Sequence, residues 1–490
     1  MDNREIQQAK HQESTLKEKT AKGLFWGGMS TFIQQAVGMI FGIVIARILS
    51  PDDYGLIAML AIFTAIANTI MDSGFTTALI NRKKIEHKDY NAVFWFNVFA
   101  GIGIYIILFF VAPLIAEFYD QDVLTNLSRI IFLSFIIAGT GIAHNAILLK
   151  KIMAKQRGII DMVSVLFSGI VGLVLALNGF AFWGLAIQQV SQIFIAVLLR
   201  WYFSPWRPTF QFDFSPLKEM FSFGVKLLFV NVLYQVTNNM FSAILGKLYG
   251  KEEAGYYSQG NKWALLSNSV IGGTINSVAQ PVLVEAKADI PRQLKVFRKM
   301  LRFGAFITFP ALLGLAFAGR EFILITIGEK WLNSVIYMQL FCIWGINSYL
   351  GSLYMMLILS HGKSNVYMGI MVTLFSMQLI SLFLCVPYGI LVMVCIYIGI
   401  YIISTTWWQY FAHKLIGIRM RDVIKDVFPY FISTVISIGV AWLLSFDIDN
   451  IYIKFFVKIL SIIIVYSIIL WCTNSVIFKE SINYLKGKRR

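Results

Sequence analysis

Two adjacent carboxylates, Asp52-Asp53, occupy the first polar break between apolar stretches, in ARILSPDDYG at residues 46–55. Paired acids can divide general-acid and general-base work, and a membrane glycosyltransferase acting on lipid-linked sugars can use carboxylates in such an outer loop. A second pair, Glu252-Glu253, stands 200 positions downstream in GKLYGKEEAG at residues 246–255. At this offset Arg47 answers Lys247, Asp52 and Asp53 answer Glu252 and Glu253, and Gly55 answers Gly255. The same ungapped offset pairs Gln35 with Gln235, Phe41 with Phe241 and Asn68 with Asn268, although overall identity across the two windows is near chance. An acidic loop that occurs twice reads as punctuation between helices. Arg47 and Lys247 read either as interfacial anchors and partners for these acids or as parts of an outer gate.

The elements that position these loops are apolar. Hydrophobic residues make up 58% of the chain and charged residues 14%, far from a soluble composition. Stretches of about 20 residues or more, each long enough to cross a hydrocarbon core, number about fourteen. This predicts an all-α integral membrane protein with helices 1–6 over residues 23–203, a Pro-containing cytoplasmic linker at 204–218, and helices 7–12 over 219–412. A cytoplasmic loop at 413–426, helices 13 and 14 over 427–477, and a basic tail at 478–490 follow. Residues 1–22 are polar and read as a cytoplasmic segment, with no cleaved leader expected. The softest boundaries are Asn178-Gly179 and Pro387-Tyr388-Gly389, where only turn residues interrupt the apolar run.

Charge placement gives an orientation. With the N-terminus inside, the inner segments hold about 32 of the 42 Lys and Arg residues, including Arg82-Lys83-Lys84, the run Lys287–Arg302 and the terminal Lys486–Arg490. The outer loops hold about seven and carry acids such as Glu117, Asp120, Asp122, Asp447 and Asp449. Both termini are therefore expected in the cytoplasm. The net charge of +16 follows from basic loops beside anionic lipid and does not call for nucleic acid as a partner. Cys342, Cys385, Cys395 and Cys472 lie singly in apolar helices, without the spacing of a disulfide framework or zinc site, and no metal or cofactor is expected. Each outer loop is short, about 4 to 16 residues, too little for the soluble acceptor domain that a glycosyltransferase or polymerase needs.

Polar residues within the spans point to transport. Thr64, Asn68, Asp72 and Thr76 recur every four residues along one face of helix 2, and Asn231, Gln235, Asn238, Asn239 and Ser242 follow one side of helix 7. Gln35, Asn68, Gln235 and Asn268 lie near the middle of their spans at about 1.5 Å rise per residue. This belt reads as cavity lining or as interhelical hydrogen-bond glue. Gln188, Gln189, Ser191 and Gln192 in helix 6 have the same two readings. Among charges at bilayer depth, Lys262 is the deepest cation, while Lys226 and Arg129 are close enough to a boundary to snorkel. An excess of fixed cations suits an anionic diphosphate. Asp72 either pairs with a cation or carries a coupling proton or sodium ion. His144 reads as packing or a local hydrogen bond, and Trp26, Trp95, Trp201, Trp206, Trp331 and Trp407-Trp408 as interfacial aromatics.

The segments AKGLFWGG, GIVIARILSPDDYG and GFTTALINRK, taken with the fourteen-helix layout, resemble the polysaccharide-transporter (Wzx-type) branch of the MOP flippase superfamily over essentially the whole chain. The resemblance implies two six-helix lobes around a central cavity with two additional C-terminal helices. It also implies a bacterial cytoplasmic-membrane flippase for undecaprenyl-diphosphate-linked oligosaccharides. Its implied partners are the polyprenyl-diphosphate-linked glycan, membrane lipids and, as candidates, polysaccharide-assembly proteins. The competing classes are a MATE-like antiporter of organic cations, which needs an acid-rich cavity, and the glycosyltransferase, which needs an acceptor domain.

Overall fold

The computed structural model describes residues 29–72, 79, 85–151, 153–213 and 215–485. The AKGLFWGG start, Thr76, the Arg82-Lys83-Lys84 run and the Lys486–Arg490 tail lie outside the described residues, as do the side chains of Asp72, Lys226 and Asn238. The chain forms two compact units that divide after Gly255.

The first unit contains α1 (Met29–Ile48), α2 (Pro51–Asp72), α3 (His87–Tyr119), α4 (Val123–Gly139) and α5 (Ile142–Lys150). It continues through α6 (Ala154–Leu177), α7 (Ala181–Phe203) and α8 (Ser215–Tyr249) to the start of α9 (Lys251–Glu285). The second unit holds the rest of α9, then α10 (Ile290–Phe317), α11 (Gly319–Thr326), α12 (Ser334–Ser360) and α13 (Ser364–Cys385). It ends with α14 (Ile390–Ile416), α15 (Met420–Ser445), α16 (Ile451–Cys472) and α17 (Val476–Leu485). Among the described residues there is no strand. Eleven of these helices are long and apolar enough to cross a membrane, or twelve if the bent pair α4 and α5 is one span. α8 and α9 are each 35 residues long.

Local chemistry starts and stops the helices. Ser50 caps α2, with Pro51 next: the Ser50 amide and hydroxyl donate to Asp53 Oδ2 at 2.8 and 2.7 Å, and the Asp53 amide donates back to Ser50 Oγ at 3.3 Å. Gly179 (φ 80°) and Gly389 (φ 86°) provide the left-handed turns at the two soft boundaries. The apolar stretch over 123–150 bends by 47° between α4 and α5, where the Thr140 carbonyl accepts from the Trp201 indole at 2.9 Å. The basic run Lys287–Arg302, expected as a loop, is mostly the first turns of α10. Asp289 caps that helix by accepting from the Arg292 amide at 3.0 Å, and Gln293, Phe297 and Leu301 bury a four-residue stripe while Lys295 and Lys299 stay exposed.

In the first unit, Leu56, Met59, Leu60 and Met71 of α2 pack with Leu124, Leu127, Ile131, Phe132 and Phe135 of α4. The linker after α7 is strapped to α3. Asn91 donates to the Gln211 carbonyl and accepts from the Thr209 amide at 2.9 Å, while Trp95 donates to the Thr209 carbonyl at 2.8 Å. At its end, hydrogen bonds from Ser215 hold the Asp213 carboxyl below the usual carboxylate range. His144 is fully buried against Trp201, Trp206 and Phe94.

In the second unit, ion pairs join α15 and α16 to the α10 and α11 region. Arg298 grips Asp426 with two nitrogens at 2.6 and 3.1 Å, and Arg302 approaches the same carboxylate at 3.6 Å. Lys458 of α16 pairs with Glu321 of α11 at 2.7 Å, both buried. A cavity of about 600 Å³ lies along α10 and α16, with Phe306, Pro310, Phe322, Phe455, Ile459 and Tyr466 among its walls. Outward-facing Ile107, Phe110 and Leu443 have the exposed apolar surface that a helix shows to lipid.

Candidate functional site

Helix geometry gathers polar side chains into one cavity of about 290 Å³ in the first unit. On α7, Gln192, Ala196 and Arg200 fall at four-residue steps and therefore share a face, and all three line it. On α6, Asp161 and Ser164 are three residues apart and line the facing wall. Gln34 of α1 and Asn68 of α2 complete the polar lining, and Met71, Ala138, Ile142 and Ile193 add apolar surface.

The bend between α4 and α5 makes the room. Ala138 and Ile142 stand on either side of it, and both reach the cavity. A Cβ built on Gly141 would come within 2.7 Å of Val197 Cγ2, so α7 approaches the bend where no side chain intervenes. A second close approach lies further along: a Cβ on Gly172 would meet Gln188 at 2.7 Å, which brings α6 and α7 together one turn from Gln192. Ser164 donates to the Ile160 carbonyl at 2.6 Å, so its hydroxyl oxygen is oriented with an acceptor lone pair available.

The structure distributes the sequence-derived candidates unevenly. Asn68 lines the cavity, and so does Gln192 of the helix 6 cluster. Gln35 is half-buried on α1 and is not among the lining residues, whereas its neighbour Gln34 is. Arg129 is half-buried with its guanidinium carbon 4.0 Å from the Phe109 ring centroid, and its buried Nε has no hydrogen-bond partner among the described residues. Asn231 is exposed on α8, and the Gln235 carbonyl accepts from the Asn239 amide at 2.9 Å. Lys226 and Asp72 belong to α8 and α2, with side chains outside the described residues.

In the second unit, Lys262 is half-buried on α9 with its Nζ 5.4 Å from the Trp263 ring centroid, and among the described residues no carboxylate pairs with it. Asn268 packs where Gly345 of α12 leaves space, 3.7 Å from the position of a built Cβ.

The repeated acidic segments, expected as loops, are mostly helix ends, with Asp52-Asp53 in the first turn of α2 and Glu252-Glu253 in that of α9, and they meet each other within the first unit. A Cβ on Gly55 would lie 1.7 Å from the Lys251 carbonyl oxygen, and one on Gly255 would lie 2.0 Å from that of Pro51. The contacts are reciprocal at the 200-position offset. Lys251 also pairs with Asp52 at 3.2 Å, and Lys247 pairs with Asp120 at 2.7 Å. Asp53 is occupied in capping α2, as described above. Arg47 and Glu252 are exposed and Glu253 is half-buried.

Asp161 and Arg200 were not singled out from the sequence, because each stands near the end of a span and reads as boundary charge. The four-residue series Gln188, Gln192, Ala196 and Arg200 is the signal that points to Arg200; Asp161 has no comparable series.

Comparison with known proteins agrees with this architecture. A family model described as "Polysaccharide biosynthesis protein" matches residues 44–336. The lipopolysaccharide biosynthesis protein WzxC of Escherichia coli (strain K12) is 27% identical over 338 residues, 68% of each chain. Among solved structures, the inward closed conformation of the lipid II flippase MurJ superposes with a TM-score of 0.72 at 15% identity, covering 93% of this chain and 99% of that one. An inward-facing multidrug resistance MATE family transporter of the MOP superfamily gives a TM-score of 0.63 at 13% identity, covering 79% of this chain and 98% of that one. At these identities the structural likenesses speak to fold.

Proposed function

Because the chain belongs to the polysaccharide biosynthesis protein family of MOP-superfamily membrane transporters, we propose that it is a flippase for a polyprenyl-diphosphate-linked oligosaccharide, serving cell-surface polysaccharide synthesis. The observation that carries this reading is the polar cavity formed by Gln34, Asn68, Asp161, Ser164, Gln192 and Arg200 among otherwise apolar helices. Amides, a hydroxyl and a guanidinium can hydrogen-bond sugar hydroxyls and phosphate oxygens without demanding one glycan. A charged headgroup in hydrocarbon would be prohibitively costly, whereas a hydrated polar path replaces its water while the lipid tail stays in the bilayer.

In this reading the cargo is undecaprenyl-diphosphate-linked and moves from the inner to the outer leaflet by alternating access between two six-helix lobes, residues 23–203 and 219–412. α8 and α9 are then the two spans that raise the count to fourteen, and α15 and α16 are the two additional C-terminal helices. Both termini lie in the cytoplasm. Lys262, with Lys226 and Arg129, supplies positive potential for the diphosphate. Gln35, Asn268, Gln235 and Asn231 are further polar contacts, and Asp72 is a candidate for the coupling ion. The helix ends holding Arg47, Asp52, Asp53, Lys247, Glu252 and Glu253 form the outer boundary.

A cation antiporter on the same fold calls for an acid-rich site. Among the described residues that line the cavity, one acid is balanced by one base. Proteoliposomes carrying either a fluorescent lipid-diphosphate oligosaccharide or a cationic dye distinguish the two. Protein-dependent movement of the lipid-linked saccharide is expected; dye movement without it overturns the flippase reading.

A further inference from the structure

Asp161 and Arg200 face one small cavity from neighbouring helices, and among the described lining residues they are its one acid and one base. The polar lining from α1 and α2, Gln34 and Asn68, is uncharged, and Ala138 of α4 and Ile142 of α5 are apolar. On its own helix, Asp161 also feels Arg157 one turn away. We propose that these two residues form a proton-linked oxyanion site, in which Arg200 receives an anionic diphosphate and Asp161, lining the same cavity, takes up a proton when the anion binds. The inference rests on the reading of the cargo as a diphosphate.

A guanidinium binds an oxyanion most strongly as a planar bidentate fork. A diphosphate held by Arg200 brings negative charge into the small cavity that the Asp161 carboxylate also lines. Two anions sharing a site with reduced access to water cannot both remain charged cheaply, and the proton goes to the carboxylate. The proton comes from solvent, no covalent bond to the diphosphate forms or breaks, and the neutral carboxylic acid becomes a donor toward the cargo. By reciprocity, a proton on Asp161 strengthens anion binding by the factor by which the anion strengthens proton binding.

The test uses the full-length protein in lipid nanodiscs with P1,P2-dimethyl diphosphate, a dianion that does not titrate near neutral pH, and undecaprenyl diphosphate as a second arm. Wild-type affinity for the dimethyl probe should fall about tenfold per unit rise in pH over the linked range, with about one proton taken up per anion bound in weakly buffered solution. Asp161→Asn should bind the probe with a flat pH profile and no proton uptake, Asp161→Glu should restore both, and Arg200→Gln should lose binding at unchanged thermal stability. Binding of the lipid probe alone would assign the recognition to the polyprenyl tail and overturn the site as drawn. So would absence of probe binding by wild type, or a wild-type pH slope in Asp161→Asn. Proton-linked probe binding in a protein that flips no lipid-linked saccharide would retire the flippase reading alone; intact flipping with pH-independent binding would retire this inference alone.

Discussion

Gly55 and Gly255 are interlocked: each lies against the backbone of the helix start that carries the other, Gly55 on the Lys251 carbonyl and Gly255 on that of Pro51. Neither position has room for a Cβ, and the atom in the way is backbone oxygen in both cases, which cannot rotate aside. Gly55→Ala or Gly255→Ala should therefore lower stability by about 1–3 kcal/mol or more. Gly103→Ala, which meets nothing within 4 Å, is the matched control. Thermal unfolding in detergent checks this, and an unchanged midpoint for both interlocked variants would show that the approach is looser than described.

The acids beside this interlock have structural duties. Asp53→Ala removes the reciprocal cap of α2 and should cost about 0.5–1 kcal/mol. Asp52→Asn with Asp53→Asn should leave substantial transport at normal protein levels. Complete loss of transport in a stable, inserted double variant would return these residues to a gate or a catalytic role.

Lys262 offers a sharper functional test than any outer residue. If it helps to receive the diphosphate, Lys262→Ala should slow flipping about ten- to hundredfold, the equivalent of one charge-assisted hydrogen bond, and Lys262→Arg should retain part of the rate. Gln235→Ala should matter more for the glycan than for the diphosphate. Unchanged transport by a variant with alanine at positions 226, 262 and 129 would move the anion site away from these cations.

The clamp on Asp426 predicts a stability effect separable from transport. Its carboxylate is 7% exposed while Arg298 is about a third exposed, so the penalty of breaking the pair is partly screened. Asp426→Ala should destabilise by about 1–3 kcal/mol, and pairing Asp426→Leu with Arg298→Met should recover much of it. Unfolding midpoints of the single and double variants supply the comparison.

Orientation can be read directly by labelling. Single cysteines at Arg292 and Lys295 in a variant lacking the native cysteines should react with a membrane-impermeant maleimide only after the membrane is opened. Cysteines placed at Asp120 and Asp449 should react from outside. Labelling of Arg292→Cys in intact cells would reverse the topology.

Much of the architecture was legible in one dimension, for a physical reason. A bilayer obliges each crossing helix to be long and apolar, so composition and run length alone reveal an all-helical membrane bundle. Turn chemistry is equally local: Ser50-Pro51 with Asp53, and the glycines at 179 and 389, start and stop helices wherever the rest of the chain goes. The 200-position repeat was visible because Arg47, the acid pair and Gly55 recur together.

What tertiary structure decided concerns relations between distant segments. That Gly55 meets Lys251 and Gly255 meets Pro51 depends on two helix starts being brought together. Gly139-Thr140-Gly141 are weak helix formers that mark where the bend can fall, but the indole of α7 that holds the Thr140 carbonyl comes from 61 residues away in sequence. Ala138 and Ile142 on either side of that bend line the same cavity as Asp161 and Arg200. Sequence alone determined which residues are polar within apolar helices. Which of them share a cavity was decided by helix rotation and crossing, and these follow from packing across the whole unit; Gln34 therefore lines the site while its neighbour Gln35 does not.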